Sequence, residues 1–215
     1  LELLTSFLSF IMHLDVHLVA FVREYGLLTY AALFAVVFCE TGLVVTPFLP
    51  GDSLLFATGA VAGAGDLAVV PLLALLFSAA VLGDSVNYQA GRLVGFKAFD
   101  PTRRNLLNPR HLHRTQAFFE RHGGKTILLA RFVPVVRTFA PFVAGIAGMR
   151  YPYFLAYNLF GGAVWVGSLT LLGYYCGNLP WAKANFGLVI YGIIAVSLLP
   201  LAVEWLRSWR AGRTG

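Results

Sequence analysis

Long uncharged runs separated by short polar clusters organise this chain. Residues 67–83, 151–182 and 184–203 contain no Asp, Glu, Lys or Arg, and about 20 apolar residues cross the hydrocarbon core of a bilayer as a helix. The pattern predicts spans over 67–91, 151–177 and 184–206. The uncharged stretch 25–39 is short for a crossing and opens a segment, 27–66, that Pro47 and Pro50 interrupt. Proline removes a backbone donor and clashes with the preceding turn. The segment therefore reads as helix, break and second helix, with Asp52 and Ser53 placed to cap the run LLFATGAVAG. Pro134 and Pro141 break the stretch 126–149 in the same way. Helix, break and helix inside one apolar region suggests a re-entrant hairpin, because irregular backbone at bilayer depth must be satisfied by protein or by a water-filled cavity.

The flanks fit the same picture. In 1–24, the polar residues Glu2, Ser6, Ser9, His13 and His17 recur at three- and four-residue intervals. That is one stripe of an amphipathic helix lying in the interface. No basic n-region precedes it, so a cleaved signal peptide is not expected. Eight Lys and Arg gather between Arg92 and Lys125, where Asn108-Pro109 is a good start for a surface helix. Two crossings after the second broken stretch return the basic tail 207–215 to the side of that loop, provided 126–149 enters and leaves one face. Basic loops beside spans mark the cytoplasmic side, which places 92–125 and the C-terminus there.

The two halves also resemble each other, with Pro47 answering Pro134 and Gly83 answering Gly167. Repeated halves with interrupted segments in corresponding places point to a transporter site near the midplane. The expected fold is an all-α membrane protein. It is a multi-pass helical bundle in a single domain over 1–215, with two re-entrant, proline-broken hairpins in a pseudo-repeated, inverted arrangement.

Composition sharpens this. The chain is 58% hydrophobic and 12% charged, against about 25% charged in soluble domains. Its net charge of +6 is concentrated beside spans, which argues against nucleic acid as a partner. Cys39 and Cys176 stand far apart in apolar settings and read as packing residues. His111, His113 and His122 lie in the basic loop without acidic or cysteine company, so no metal is expected. No phosphate-binding loop, dinucleotide fingerprint or nucleophile elbow occurs. Neither a cofactor nor an enzymatic activity is expected. Trp165, Trp181, Trp205 and Trp209 mostly fall near span ends, as interfacial anchors do. Gly145, Gly148, Gly161 and Gly162 suit close helix packing.

The candidate chemistry lies in four charges inside the broken stretches: Glu40 and Asp52 in the first, Arg131 and Arg137 in the second. Each costs roughly 2.5–3.5 kcal/mol at bilayer depth on insertion scales. Acids from one hairpin paired with arginines from the other would offset most of that cost, and a purely architectural ion-pair cluster is the plainer reading. The functional reading divides the labour. Arginine keeps its charge, and its planar fork suits phosphate oxygens. A desolvated carboxylate can exchange a proton, and Glu40, deeper in its apolar run than Asp52, is the better carrier. Asp84, Tyr88 and Arg92, which follow helical spacing with Asn87 in GDSVNYQAGR (83–92), are secondary candidates.

Three motifs in order are then recognisable. Phe38-x-Glu40-Thr41-Gly42 near PFLPGDSLL (47–55), GDSVNYQAGRLVG (83–95), and RFVPVVRTFAPFVAGIAGM (131–149) followed by Phe154, Asn158, Gly161 and Trp165 resemble the DedA family, also called the VTT or SNARE-associated Golgi protein family. The resemblance covers about 30 to 200. It implies a multi-pass bacterial inner-membrane protein with two opposed re-entrant hairpins. It also implies lipid carriage linked to the proton motive force, with undecaprenyl phosphate as one cargo. The family's acidic pair falls on Glu40 and Asp52 and its arginine pair on Arg131 and Arg137.

The first expectation is a translocase for a phosphorylated lipid, with protons and membrane lipids as partners and a homo-oligomer left open. The alternatives are an energy-independent phospholipid scramblase, a proton-coupled antiporter for small cations or drugs, and a structural membrane protein.

Overall fold

A computed structural model describes residues 14–43, 51–98, 125–131 and 134–181, together with 188, 189 and 192. Its elements are helices: α1 (Leu14–Tyr25), α2 (Leu28–Gly42), α3 (Gly51–Ala64), α4 (Val69–Ala98), α5 (Lys125–Ala130), α6 (Pro134–Ile146) and α7 (Tyr151–Cys176). The expected surface helix from 108, all of the span 184–206 but residues 188, 189 and 192, and the basic tail lie outside the described residues, as do Pro47, Pro50 and residues 1–13 of the interfacial helix.

Local chemistry accounts for several helix ends. Pro134 opens α6 and Pro152 sits in the first turn of α7, where a missing N–H costs nothing. Both α3 and α6 end on a glycine in the left-handed region, Gly65 at φ 96° and Gly148 at φ 72°. In each case the next N–H reaches back five residues, Asp66 to Val61 at 3.3 Å and Met149 to Ala144 at 3.1 Å, which is the Schellman closure. Two sequence expectations shift. Pro141 lies inside α6 rather than breaking it, and α4 continues to Ala98, so the start of the basic stretch is helical rather than loop.

The chain divides into two compact units. One contains 52–69 and 169–215, with 1–26; the other contains 27–51 and 70–168. In the first, glycines mesh backbone to backbone. A Cβ on Gly59 would overlap the Thr170 carbonyl, and one on Gly173 would overlap the Phe56 carbonyl. Gly63 and Gly177 repeat the contact one turn on, against Tyr174 and Ala60. Such small-residue spacing lets helices approach closely where no water drives them together.

In the second unit α4 is the centre. Gly83 packs on the end of α2, where a Cβ would meet the Phe38 carbonyl at 2.9 Å, and Gly91 packs on the Phe142 carbonyl of α6. Beneath them Tyr88 stacks on Phe154 with ring centroids 4.5 Å apart, in a core completed by Ile127, Ala130, Ala140 and Ala144. Because backbone opposes Gly91, Gly91→Val is expected to lower stability by about 1–3 kcal/mol. Thermal unfolding of the purified protein checks this, with Gly167→Ala, where a Cβ meets nothing within 4 Å, as the variant expected to unfold no earlier than the parent.

This unit exposes large apolar side chains and buries several polar ones. Leu82, Val86 and Leu93 on α4, and Leu159, Phe160 and Val164 on α7, are exposed, whereas Asp84, Asn87, Thr138 and Asn158 are buried. Among the described residues, Val69–Gly95 and Tyr151–Cys176 are long and apolar enough to cross a membrane. A soluble protein would bury those side chains first. The arrangement is that of a membrane protein.

Candidate functional site

Five segments of the second unit converge on one buried cluster. Glu40 comes from the last turn of α2, Asp84 from the middle of α4, Arg131 from the turn after α5, Arg137 from the first turns of α6, and Asn158 and Trp165 from one face of α7. Arg137 donates to Glu40 Oε1. Arg131 donates through one terminal nitrogen to both Asp84 Oδ2 and Asn158 Oδ1. The Asn158 amide is itself oriented, since its Nδ2 donates to the Val81 carbonyl at 3.1 Å.

These are buried ion pairs. The side chains of Asp84 and Arg131 are 6% and 5% exposed, and those of Glu40 and Arg137 are 2% and 11% exposed. Trp165 roofs both cations, its ring centroid 4.8 Å from the Arg137 Cζ and 5.9 Å from the Arg131 Cζ, within the range of a cation–π contact. Gly161 makes room for Arg131: a Cβ there would stand 2.9 Å from its Cδ. Arg131 Nε, on that side, has no hydrogen-bond partner among the described residues. Gly51 lies against the Glu40 carboxylate so closely that a Cβ would overlap it.

Asn87, one turn along α4 from Asp84, binds the supporting backbones together. Its Nδ2 donates to the carbonyls of Thr41 at 3.1 Å and Thr138 at 2.7 Å. The Thr138 carbonyl lies beside that of Arg137, whose usual helical donor would be the nitrogen of Pro141. Proline inside α6 therefore removes one helical hydrogen bond from the turn that carries the cation. The space left among Glu40, Thr41, Asp84, Arg131, Arg137, Thr138 and Trp165 is about 10 Å³, roughly the least that admits one water.

The predicted residues are partly assembled here. Glu40 and Arg137 meet as expected across the two broken stretches. The acid on Arg131 is Asp84, not Asp52, which stands partly buried in the first turn of α3 and belongs to the other unit. Tyr88 serves the core, its hydroxyl donating to the Met149 carbonyl, and Arg92 is exposed. Trp165 is 3% exposed in the cluster and is no interfacial anchor. Its spacing was the available signal: Asn158, Gly161, Gly162 and Trp165 lie at i, i+3, i+4 and i+7, one face of a helix.

The VTT domain family matches residues 49–175, which takes in Asp84, Arg131, Arg137, Asn158 and Trp165. The chain is 51% identical over 213 residues to Protein DedA of Escherichia coli, covering 98% of this chain and 97% of that protein. The chain belongs to the DedA family. An uncharacterized membrane protein of Mycobacterium tuberculosis is 40% identical over 191 residues, 88% of this chain and 84% of that protein. Inner membrane protein YqjA of Escherichia coli is 38% identical over 183 residues, 84% and 81% of the two chains. No solved structure matches the chain. Within this DedA-family protein, the cluster concentrates two fixed cations, two carboxylates and an aromatic face where lipid-facing helices enclose polar groups.

Proposed function

We propose that this DedA-family protein is a transporter, not an enzyme, that moves a phosphorylated lipid carrier between leaflets and links that movement to protons. A polyprenyl phosphate such as undecaprenyl phosphate is the proposed cargo. The observation that carries the reading is Arg137 held by Glu40 beneath Trp165, in a cleft too small for a phosphate. Arginine cannot release its proton, so only the acid can let go. Protonation of Glu40 removes its charge and frees the Arg137 fork for the anionic head group. Return of the carboxylate, once its proton leaves, displaces the anion.

Arg131, tied to Asp84 and Asn158, keeps a second positive centre near the first. The two broken segments act as re-entrant hairpins that bring this cluster to bilayer depth. The stretch 92–125 and the C-terminus face the cytoplasm, and the location is the inner membrane, the place that YqjA's name gives for that protein. Asp52 is proposed as a second protonatable gate. Both carboxylates of the cluster are engaged by guanidinium groups, which favours an anionic cargo over a cationic one.

The test is movement of labelled polyprenyl phosphate in liposomes holding the purified protein, with and without a pH gradient. The gradient is expected to bias direction, and movement no faster than in protein-free liposomes would overturn the reading. Direction insensitive to the gradient would instead identify a scramblase. Arg137→Lys is expected to cut transport by about tenfold or more, because an ammonium cannot reproduce the paired donors of the fork. Full transport by that variant, alongside loss in Glu40→Gln, would indicate a cation antiporter.

A further inference from the structure

We propose that the groove between α4 and α7 holds the hydrocarbon chain of the lipid whose charged head occupies the arginine cluster, an inference that rests on reading that cluster as an anion site. Leu73, Ala74 and Phe77 form one wall and Ala163, Val166 and Gly167 the other, around a volume of about 290 Å³. Not one of these six side chains carries a polar atom. Both walls belong to the helices long and apolar enough to span a membrane, so hydrocarbon rather than water fills the groove.

Continuity with the charged cluster selects the cargo's own tail. Gly162 stands at the junction. A Cβ placed there would be 3.4 Å from Cε2 of Phe77, a residue of the groove wall, 3.3 Å from Val81 Cγ2, and 3.6 Å from Nη1 of Arg131 in the cluster. A single glycine thus separates the apolar wall from a guanidinium. An amphiphile with an anionic head at the arginines finds the groove as the adjoining apolar surface. The small residues on α7 keep it open: at Gly167 an added Cβ meets nothing within 4 Å. Ala163, Val166 and Gly167 fall at i, i+3 and i+4, so the opening follows one helix face.

Gly167→Leu fills this space without a backbone clash and replaces a residue that weakens helices. The experiment measures binding of hexadecyl phosphate and butyl phosphate to the full chain in lipid nanodiscs. The parent is expected to bind the long chain more tightly than the short one. Gly167→Leu should lose about tenfold or more of the long-chain affinity, since its side chain occupies the space the hydrocarbon chain needs, while butyl phosphate binds as before.

Long-chain affinity unchanged in a folded Gly167→Leu protein would overturn the proposal and leave the anion site standing. So would equal binding of the two phosphates by the parent. Failure of both phosphates to bind the parent would overturn the anion site and the proposal with it. A hexadecyl phosphate carrying a photoreactive diazirine on its chain tests the unaltered protein: adducts should fall on residues 73–77 and 163–167, and adducts confined elsewhere would count against the groove.

Discussion

Arg131→Leu is expected to destabilise the protein by about 3–5 kcal/mol, the cost of leaving one member of a buried ion pair without its partner. The stranded group is Asp84, whose side chain is 6% exposed. Asn158 Oδ1 loses its donor in the same step, and the amide cannot turn to compensate while its nitrogen serves the Val81 carbonyl. Thermal unfolding followed by size-exclusion elution measures the loss. Adding Asp84→Asn to the same chain should restore more than half of it, because the buried charge is then gone and a neutral amide faces a neutral leucine. Additive losses in the double variant would show that the pair does not couple in this way. Transport by the recovered double variant separates two roles for Arg131: activity near the parent's makes it a scaffold, and loss of activity in a stable protein makes it part of the anion site.

The second large effect concerns Glu40. Glu40→Gln fixes the neutral form of the acid and removes the charge that competes for Arg137. Two results are expected together. Affinity for an anionic head group rises by about tenfold or more in neutral buffer, the worth of a charge-assisted hydrogen bond no longer contested, while transport driven by a pH gradient falls to the protein-free rate. Butyl sulfate is the informative probe because its own charge is constant. The parent should bind it more tightly in acid than in alkaline buffer, since protonating Glu40 frees Arg137, and Glu40→Gln should bind it equally in both. Equal pH dependence in parent and variant would remove Glu40 from the coupling step.

Much of this site was legible in the sequence because charges at bilayer depth are costly and must be matched. The cost singles out Glu40, Arg131 and Arg137 and pairs acids of the first broken stretch with arginines of the second, with no particular partner for Arg131. Asp84 sits on α4, and whether its carboxylate or another reaches Arg131 depends on how α4 is rotated toward the turn after α5, a rotation fixed by close contacts such as Gly83 on α2 and Gly91 on α6. Those pairings join residues far apart in sequence, so no local window contains them. Trp165 shows the opposite limit: position along a span does not reveal the helix face it shares with Asn158. Helix stops at Gly65 and Gly148 follow local chemistry. Pro141 shows the limit of a local rule, since here one proline within a long apolar run does not end the helix.

Asn87 has a consequence for how such a site opens. Its amide joins the Thr41 carbonyl, next to Glu40, to the Thr138 carbonyl, next to Arg137, so the backbones carrying acid and base are riveted to the same residue of α4. Pulling them apart as rigid helices would break both bonds and strand the buried Asn87 amide donor. The cheaper route is rotation of the Glu40 or Arg137 side chain within a stationary frame. The switch is then a change of rotamer across a few ångströms, and its rate should survive substitutions that stiffen the surrounding helices.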